Sequence, residues 1–242
     1  MKPAGLVRPV DAAGLILLRG KHEAPEILLG RRHARTAFLP DIYVVPGGRV
    51  DPEDHLPSGF DERLHPAVAK ALQAGNKRRP PIAFLRAALR ELHEETGLIL
   101  GGQILKSRGS GTPRASAVWQ AYAEAGGAPD FSAFDFVLRA ITPVESRRRY
   151  NTRFFLADGG AATGALRGNG ELLDLGWRRV DELDRLTIVD VTWALIRLAL
   201  ARWQARVPVG VEPAKLLVYR SDSLVLRVPA APRRRARGAT RA

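Results

Sequence analysis

Cysteine is absent from this 242-residue chain, which also has a single methionine and only five histidines. Without thiols, the protein can form neither disulfide bonds nor thiolate zinc sites. Aromatic residues make up only 7% of the chain, and they do not alternate with basic residues as a nucleic-acid stacking surface would require. Stability must therefore come from an ordinary apolar core, for which 45% hydrophobic residues are sufficient at this length.

Long uncharged apolar runs are also lacking. The most apolar long segment, IVDVTWALIRLALARW at 188–203, is short for a bilayer span and carries three charged residues. The first residues, MKPAGLVRPVDAAG, contain two prolines and an aspartate before any apolar stretch, unlike a secretion signal. We therefore expect a cytoplasmic protein without membrane contact, in which residues 188–203 form an amphipathic helix covering a sheet.

Acidic residues are fewer than basic ones, 25 against 38, which gives a formal net charge of +13. Part of the excess lies in the C-terminal sequence RRRARGATRA, which contains no acid. We expect a single domain over residues 1–228 and a basic, disordered tail over 229–242. A basic protein can attract RNA, a membrane surface or phosphorylated small molecules. We expect a phosphorylated small-molecule partner, with nucleic acid as the less favoured alternative. A homodimer remains open.

One helix stands out in the sequence, IAFLRAALRELHEET at 82–96. Leu85, Leu89 and Leu92 recur at spacings of four and three, so they form one apolar face. Two prolines precede the segment, where they suit a first turn, and Gly97 follows it as an expected helix end. The segment therefore predicts a helix that packs against the core through its leucines.

Three glutamates lie off that apolar face, at the C-terminal end of the predicted helix. Glu91, Glu94 and Glu95 stand at i, i+3 and i+4, so their carboxylates project side by side. Repulsion costs a few tenths of a kcal/mol, and each anion near a helix C-terminus costs about 0.3–1 kcal/mol more. A divalent cation would offset these costs. A solvated acidic helix end is the alternative interpretation.

An upstream glycine pair changes the balance between these two interpretations. The stretches PGGRVDPED (46–54) and RELHEETGL (90–98) together resemble a Nudix box. The second stretch fits that pattern at every position. The first departs from it, because Arg90 follows Gly48 much later than usual and Asp54, beside Glu53, stands where a glutamate is expected.

An insertion interrupts the box in the same place as in the branch that contains peroxisomal coenzyme A diphosphatases. The segments 37–52 and 141–157 also resemble that branch. The likeness covers roughly residues 10–185. It implies an α/β fold, specifically an α/β/α sandwich with a mixed sheet, a helical insertion at about 54–81 and a C-terminal extension. The insertion either caps the substrate pocket or is a passive surface excursion.

Hydrophobic patterning gives the expected order of elements. Strands are predicted at 12–20, 25–32, 42–48, 151–157 and 174–180, with a terminal strand pair at 215–228. Further helices are predicted at 65–75, inside the insertion, and at 116–126.

The resemblance also implies a metal site. Gly48 would offer its carbonyl, while Glu91, Glu94 and Glu95 would bind Mg²⁺ or Mn²⁺ directly or through water. Catalysis is assigned to Glu94, through the metal, and to Glu171, which lies in a Gly-rich loop and would act on the attacking water. Weaker alternatives to the latter residue are Glu145 and Asp158.

Arginines complete the expected site. Arg31, Arg32 and Arg153 are predicted contacts for substrate phosphates, although each fits a surface strand position equally well. Arg90 is expected to brace the glutamates rather than touch substrate, and Gly97 to support the site by ending the helix.

The expected activity is metal-dependent hydrolysis of a phosphoanhydride in a nucleoside diphosphate linked to another moiety, with coenzyme A or acyl-CoA as the leading substrate. The alternatives are dinucleotides, nucleotide sugars, nucleoside triphosphates and RNA ends. A catalytically silent ligand-sensing module is a further alternative. The intact RELHEE argues against it, because a binding module does not need an unfavourable carboxylate cluster.

Overall fold

The computed structural model describes residues 7–36, 39–74, 79–101, 116–220 and 223–228. Its strands are β1 (Val10–Lys21), β2 (Ala24–Arg32), β3 (Tyr43–Val44), β4 (Gly47–Arg49), β5 (Ile99–Leu100), β6 (Asp135–Ile141), β7 (Tyr150–Asp158), β8 (Ala162–Thr163), β9 (Leu172–Arg179), β10 (Lys215–Arg220) and β11 (Ser223–Arg227). Its helices are α1 (Pro66–Gln73), α2 (Ile82–Thr96), α3 (Ala117–Glu124) and α4 (Asp190–Gln204).

Most of the described strands form one mixed sheet. Its order is β11-β10-β6-β7-β1-β2-β3, with β4 paired to β1 and β9 paired to β2. The central strand β1 runs parallel to β7 and antiparallel to β2 and β4. The strands β5 and β8 form a separate antiparallel pair. The predicted mixed sheet is therefore confirmed.

Helices cover both faces of the sheet. In β1, Leu15 and Leu17 belong to the core shared with α1, α2 and α3, while Ile16 and Leu18 belong to the core shared with α4. All four side chains are fully buried. Burial on both faces explains why β1 reads as a continuous apolar run instead of an alternating one. Among the described residues, no helix is long and apolar enough to cross a membrane.

The helices form close to where the sequence predicts them. The glutamate helix α2 spans Ile82–Thr96, and the predicted amphipathic helix at 188–203 is α4. The strand predicted at 42–48 is divided into β3 and β4 by two residues at 45–46. The terminal pair β10 and β11 is antiparallel, while its connecting residues 221–222 and the tail 229–242 lie outside the described residues.

Strand β6 is not among the predicted elements. Its sequence, DFVLRAI, contains Asp135 and Arg139, which weaken the apolar pattern. Asp135 is nevertheless buried, because its carboxylate accepts hydrogen bonds from Arg202 of α4 and from the Gly210 N–H, the latter at 2.9 Å. This ion pair ties α4 to the sheet.

The insertion is fastened to α2 by a nearly buried ion pair. Arg86 of α2 donates through Nε to Glu62 at 2.7 Å, and through Nη1 to the Asp54 carbonyl at 3.0 Å. Near the other end of the insertion, Arg79 donates to Asp11 of β1 at 2.9 Å. Between these two anchors, α1 buries Val68 and Leu72 in the core.

We expect Glu62→Gln to lower the free energy of unfolding at pH 7 by about 1.5–3 kcal/mol, because Arg86 would lose its charged partner. Burial alone would raise the pKa of Glu62, but hydrogen bonds from Arg86 and Ser58 outweigh it and hold the pKa below its ordinary value of 4.5. The stabilisation is therefore complete above that ordinary value and is lost as pH falls through the lower folded-state pKa.

Urea unfolding of wild type and Glu62→Gln across pH 3–7 would measure this difference. Asp61→Asn is the matched control, because the Asp61–Arg63 pair belongs to the same insertion but is largely exposed. Equal stabilities of wild type and Glu62→Gln at pH 7 would contradict the anchoring role.

Candidate active site

The end of α2 carries three carboxylates that differ in exposure. Glu95 is 5% exposed, and its Oε2 accepts a hydrogen bond from the Gly47 N–H at 2.9 Å. The side chain of Glu91 is 13% exposed, whereas that of Glu94 is 44% exposed. The helix therefore presents one buried carboxylate, one partly buried carboxylate and one that is open to solvent.

Strand β4 comes so close to this helix that a side chain at Gly48 would displace the Glu91 carboxylate. A β-carbon added to Gly48 would lie 2.2 Å from Oε1 of Glu91, far inside van der Waals contact. Pairing of β4 with β1 at Ala13 fixes the Gly48 backbone in place. The Gly-Gly turn thus allows backbone and carboxylates to share one small space.

Arg90 holds these carboxylates from behind. Its Nη1 lies 3.1 Å from Glu91 and 3.0 Å from Glu94, and its Nη2 donates to the Arg49 carbonyl at 2.9 Å. Asp54 completes the cage, accepting from Arg90 Nε at 3.1 Å and from Nη2 at 3.0 Å. Burial alone would lower the pKa of Arg90, but these carboxylates raise it, so the residue stays charged. This is the geometry that a bracing role requires.

Asp54 occupies the position where the Nudix pattern has a glutamate, and the sequence alone does not decide whether an aspartate can serve there. The side chain is buried, with 3% of its surface exposed, and it also accepts from the Asp51 N–H at 2.8 Å. A buried carboxylate is stable only when paired, and Arg90 supplies the partner. The shorter aspartate thus positions Arg90 across the start of the insertion.

Glu171 reaches the site because its loop docks on the end of α2. Gly97 has φ 72°, which turns the chain out of the helix, and a β-carbon there would lie 2.8 Å from the Ala165 carbonyl. The Arg167 N–H donates to the Thr96 carbonyl at 2.8 Å. Glu171 follows a few residues later and lines the same cavity as the three glutamates.

Burial, with a smaller contribution from neighbouring charges, raises the pKa values of Glu95 and Glu91. Burial is the main reason why the pKa of Glu95 is raised to about 8. The hydrogen bond from the Gly47 N–H lowers this pKa in part, and the charges of Glu91 and Glu171 raise it further. Burial likewise raises the pKa of Glu91 to about 7, against the opposing charge of Arg90. Such a cluster favours binding of either protons or a cation.

The donor set fits a divalent cation. Carboxylates and a backbone carbonyl are hard oxygen ligands, which suit Mg²⁺ or Mn²⁺. Within the described residues, no three acidic or histidine side chains converge at metal-binding distance. Instead, Arg90 and the Gly47 N–H orient these carboxylates. Glutamate torsions would have to rotate to enclose an ion, so direct ligation by Glu91, Glu94 and Glu95 remains a prediction.

A cavity of about 930 Å³ opens in front of the carboxylates. Arg32 lines it, and Arg32 Nε is buried without a hydrogen-bond partner in the part of the chain that is described. Two further cations, Arg35 and Arg49, also line the cavity. Neither was singled out from the sequence, because an arginine next to a turn carries no pattern of its own.

The described part of the insertion does not line this cavity. None of its described residues, 54–74 and 79–81, contributes to the cavity wall. The capping interpretation is therefore not supported for those residues, whose helix α1 instead buries Val68 and Leu72 in the core that it shares with α2.

Two of the three arginines predicted to bind phosphate lie elsewhere. Arg153 does not line the cavity. It is 2% exposed, donates to Asp11 at 2.8 Å and stacks on Phe84. Its assignment as a substrate contact is corrected, since alternation along β7 points it to the α2 face. Arg31 pairs with Asp41 at 2.5 Å, also outside the cavity lining.

The weaker alternatives to Glu171 also lie outside the cavity lining. Glu145 is exposed in the loop between β6 and β7. Asp158 accepts a hydrogen bond from the Gly160 N–H at 2.7 Å and thereby caps a short turn. The geometry therefore favours Glu171 among the three later acids.

Comparison with solved structures supports this fold. The chain resembles a Nudix hydrolase from Alicyclobacillus acidocaldarius at a TM-score of 0.60 and 26% identity, covering 83% of this chain and 95% of that one. A MutT Nudix hydrolase from Burkholderia pseudomallei has a TM-score of 0.46 and 17% identity, with coverages of 79% and 98%. No protein-family model and no curated protein sequence matches the chain.

The fold, together with the RELHEETGL sequence at the end of α2, is that of a Nudix-type hydrolase, an enzyme that acts on acid anhydrides. The fold assignment rests on the Alicyclobacillus structure, whose length the alignment spans almost completely.

Proposed function

We propose that the protein hydrolyses the phosphoanhydride of a nucleoside diphosphate linked to another moiety, with coenzyme A or an acyl-CoA as the leading substrate. The observation that carries this proposal is that Glu91, Glu95 and Glu171 line one cavity beside the Gly47–Gly48 turn, where the charges of Glu91 and Glu171 act on Glu95. The cavity is much larger than a diphosphate. Glu95 is buried and Glu91 is partly buried, and carboxylates in such positions are costly unless a cation neutralises them.

Each residue has a distinct part in the proposed reaction. Glu91, Glu94 and Glu95 would hold Mg²⁺ or Mn²⁺, which neutralises the diphosphate and lowers the pKa of water. Glu171 would take a proton from the attacking water, whose oxygen bonds to phosphorus as the bridging P–O bond breaks. Arg90 acts through the glutamates that it positions. With coenzyme A, the products would be 3′,5′-ADP and 4′-phosphopantetheine.

Rival substrates share this chemistry, and they include dinucleotides, nucleotide sugars, nucleoside triphosphates and RNA ends. The experiment is a panel of these diphosphates, with coenzyme A and acetyl-CoA, incubated with Mg²⁺ or Mn²⁺, with both products identified by mass spectrometry. Preferred cleavage of coenzyme A to the two products above would support the leading substrate. Faster cleavage of another member would replace it, and inertness of all would favour a silent binding module.

Arg32 provides a direct test of phosphate binding. We expect Arg32→Ala to raise KM and lower kcat/KM by about ten-fold or more, because a charge-assisted contact to phosphate would be lost. Arg31→Ala is the matched control: it removes the same side chain one position earlier, where the arginine pairs with Asp41. Steady-state kinetics of both variants would decide the matter. Equal effects of the two changes would contradict a specific role for Arg32.

A further inference from the structure

The loop between β6 and β7 forms one rim of the cavity. Thr142, Pro143, Ser146 and Tyr150, all at or near this loop, line the cavity wall. The loop sequence, TPVESRRRY, contains three consecutive arginines between two of these lining residues. Arg147–Arg149 do not themselves line the cavity, but their chain neighbours Ser146 and Tyr150 do, so the loop backbone places them next to its edge.

Hydrogen bonds give this loop a defined shape. The Thr142 N–H donates to the Tyr150 carbonyl at 3.0 Å, and the Tyr150 N–H donates to the Thr142 hydroxyl at 3.0 Å. Arg149 adds two bonds, from Nε to the Thr142 carbonyl at 3.2 Å and from Nη1 to the Val7 carbonyl at 2.8 Å. The third arginine is thus used to hold the loop closed.

The other two arginines are not used in this way. Arg147 and Arg148 are exposed, and within the described residues neither forms an ion pair with a carboxylate. Glu145 is the nearest acid along the chain and is itself exposed. The rim therefore carries two uncompensated positive charges on a held backbone, which favours an anion.

The wall between this rim and the carboxylates is largely uncharged. Ile141, Val191, Leu217 and Tyr219 line it, and the last two come from β10 in the C-terminal extension. A substrate that fills the cavity would place its diphosphate at the carboxylates and an uncharged part along this wall. A second anionic group would then meet the arginine rim.

We propose that Arg147 and Arg148 bind a phosphate of the substrate that is not part of the cleaved anhydride. This inference rests on the proposed function, and it narrows the proposed substrates to nucleotides that carry an additional phosphate on the nucleoside. In coenzyme A that group is the 3′-phosphate. The two arginines therefore determine specificity, while the bond cleaved stays the same.

Coenzyme A and dephospho-coenzyme A provide the test, because they differ only in that phosphate. We expect wild type to prefer coenzyme A by at least about ten-fold in kcat/KM, through KM. The double variant Arg147→Ala/Arg148→Ala should bring the two substrates to within about two-fold, with dephospho-coenzyme A turned over as by wild type. Arg147→Lys/Arg148→Lys should keep part of the preference.

Arg63→Ala/Arg197→Ala is the matched control, since it removes two exposed arginines outside the β6–β7 loop and changes the net charge equally. It should leave the preference unchanged. Equal kcat/KM of wild type for the two substrates, or a preference that survives in the Arg147→Ala/Arg148→Ala variant, would overturn the inference. If wild type cleaves neither substrate but cleaves another diphosphate, coenzyme A is rejected as the substrate. The proposal that Arg147 and Arg148 bind its 3′-phosphate is then rejected as well.

Discussion

Replacing Glu95 with glutamine is expected to lower kcat/KM by at least about a hundred-fold, equivalent to about 2.7 kcal/mol, and to weaken Mn²⁺ binding in parallel. The change keeps the size of the side chain and leaves a carbonyl oxygen to accept the Gly47 hydrogen bond. What is lost is the negative charge at the most buried position of the cluster. Glu94→Gln should act in the same direction.

Mn²⁺ titration by calorimetry, beside initial rates with the best substrate, would measure both effects. Glu23→Gln is the control, because Glu23 is an exposed glutamate outside the cavity lining. If Glu95→Gln bound Mn²⁺ and turned over substrate as wild type does, the metal site would have to lie elsewhere.

The same titrations should depend on pH. The pKa values of Glu95 and Glu91 are raised to about 8 and about 7, mainly by burial. Protons therefore compete with the cation near neutral pH, and the apparent Mn²⁺ affinity should rise as pH increases through these values.

Glu171→Gln should behave differently from the helix variants. If Glu171 acts on the attacking water, its replacement should lower kcat by about 10²–10⁴-fold, the range for a lost general base, with little change in Mn²⁺ affinity. The structure favours this separation, because Glu171 belongs to a loop docked on α2 rather than to the helix itself. Initial rates and Mn²⁺ titrations on the same preparations would show it.

Near-normal turnover in Glu171→Gln would exclude it as the base and direct attention to Glu91, which lines the same cavity. A parallel loss of metal affinity would instead make Glu171 a ligand.

Local patterns predicted much of this architecture. Helix α2 begins at Ile82 and ends at Thr96 as expected, because its breakers and its leucine spacing act within the segment itself. Apolar runs in the sequence likewise predict both strands of the β1–β2 pair and the helix α4.

Features that depend on distant contacts were not predictable in the same way. Asp54 acquires its partner only when the insertion folds back on Arg90. The sequence predicts that Arg153 contacts substrate, but the alternation of side chains along its strand places it against Phe84 instead. Strand β6 was missed because its Asp135 becomes acceptable only when paired with Arg202. In each case, tertiary partners decide what a charged residue does.

The central claim is that the glutamates of α2 support metal-dependent hydrolysis of a phosphoanhydride. Its most direct test is the initial rate of diphosphate cleavage by the full-length protein across the substrate panel, with Mg²⁺, with Mn²⁺ and after chelation. The account predicts cleavage of at least one diphosphate with an added ion, loss of that activity in chelator and recovery when the ion is restored. Cleavage that persists unchanged in chelator, or no cleavage of any member with either ion, would contradict it.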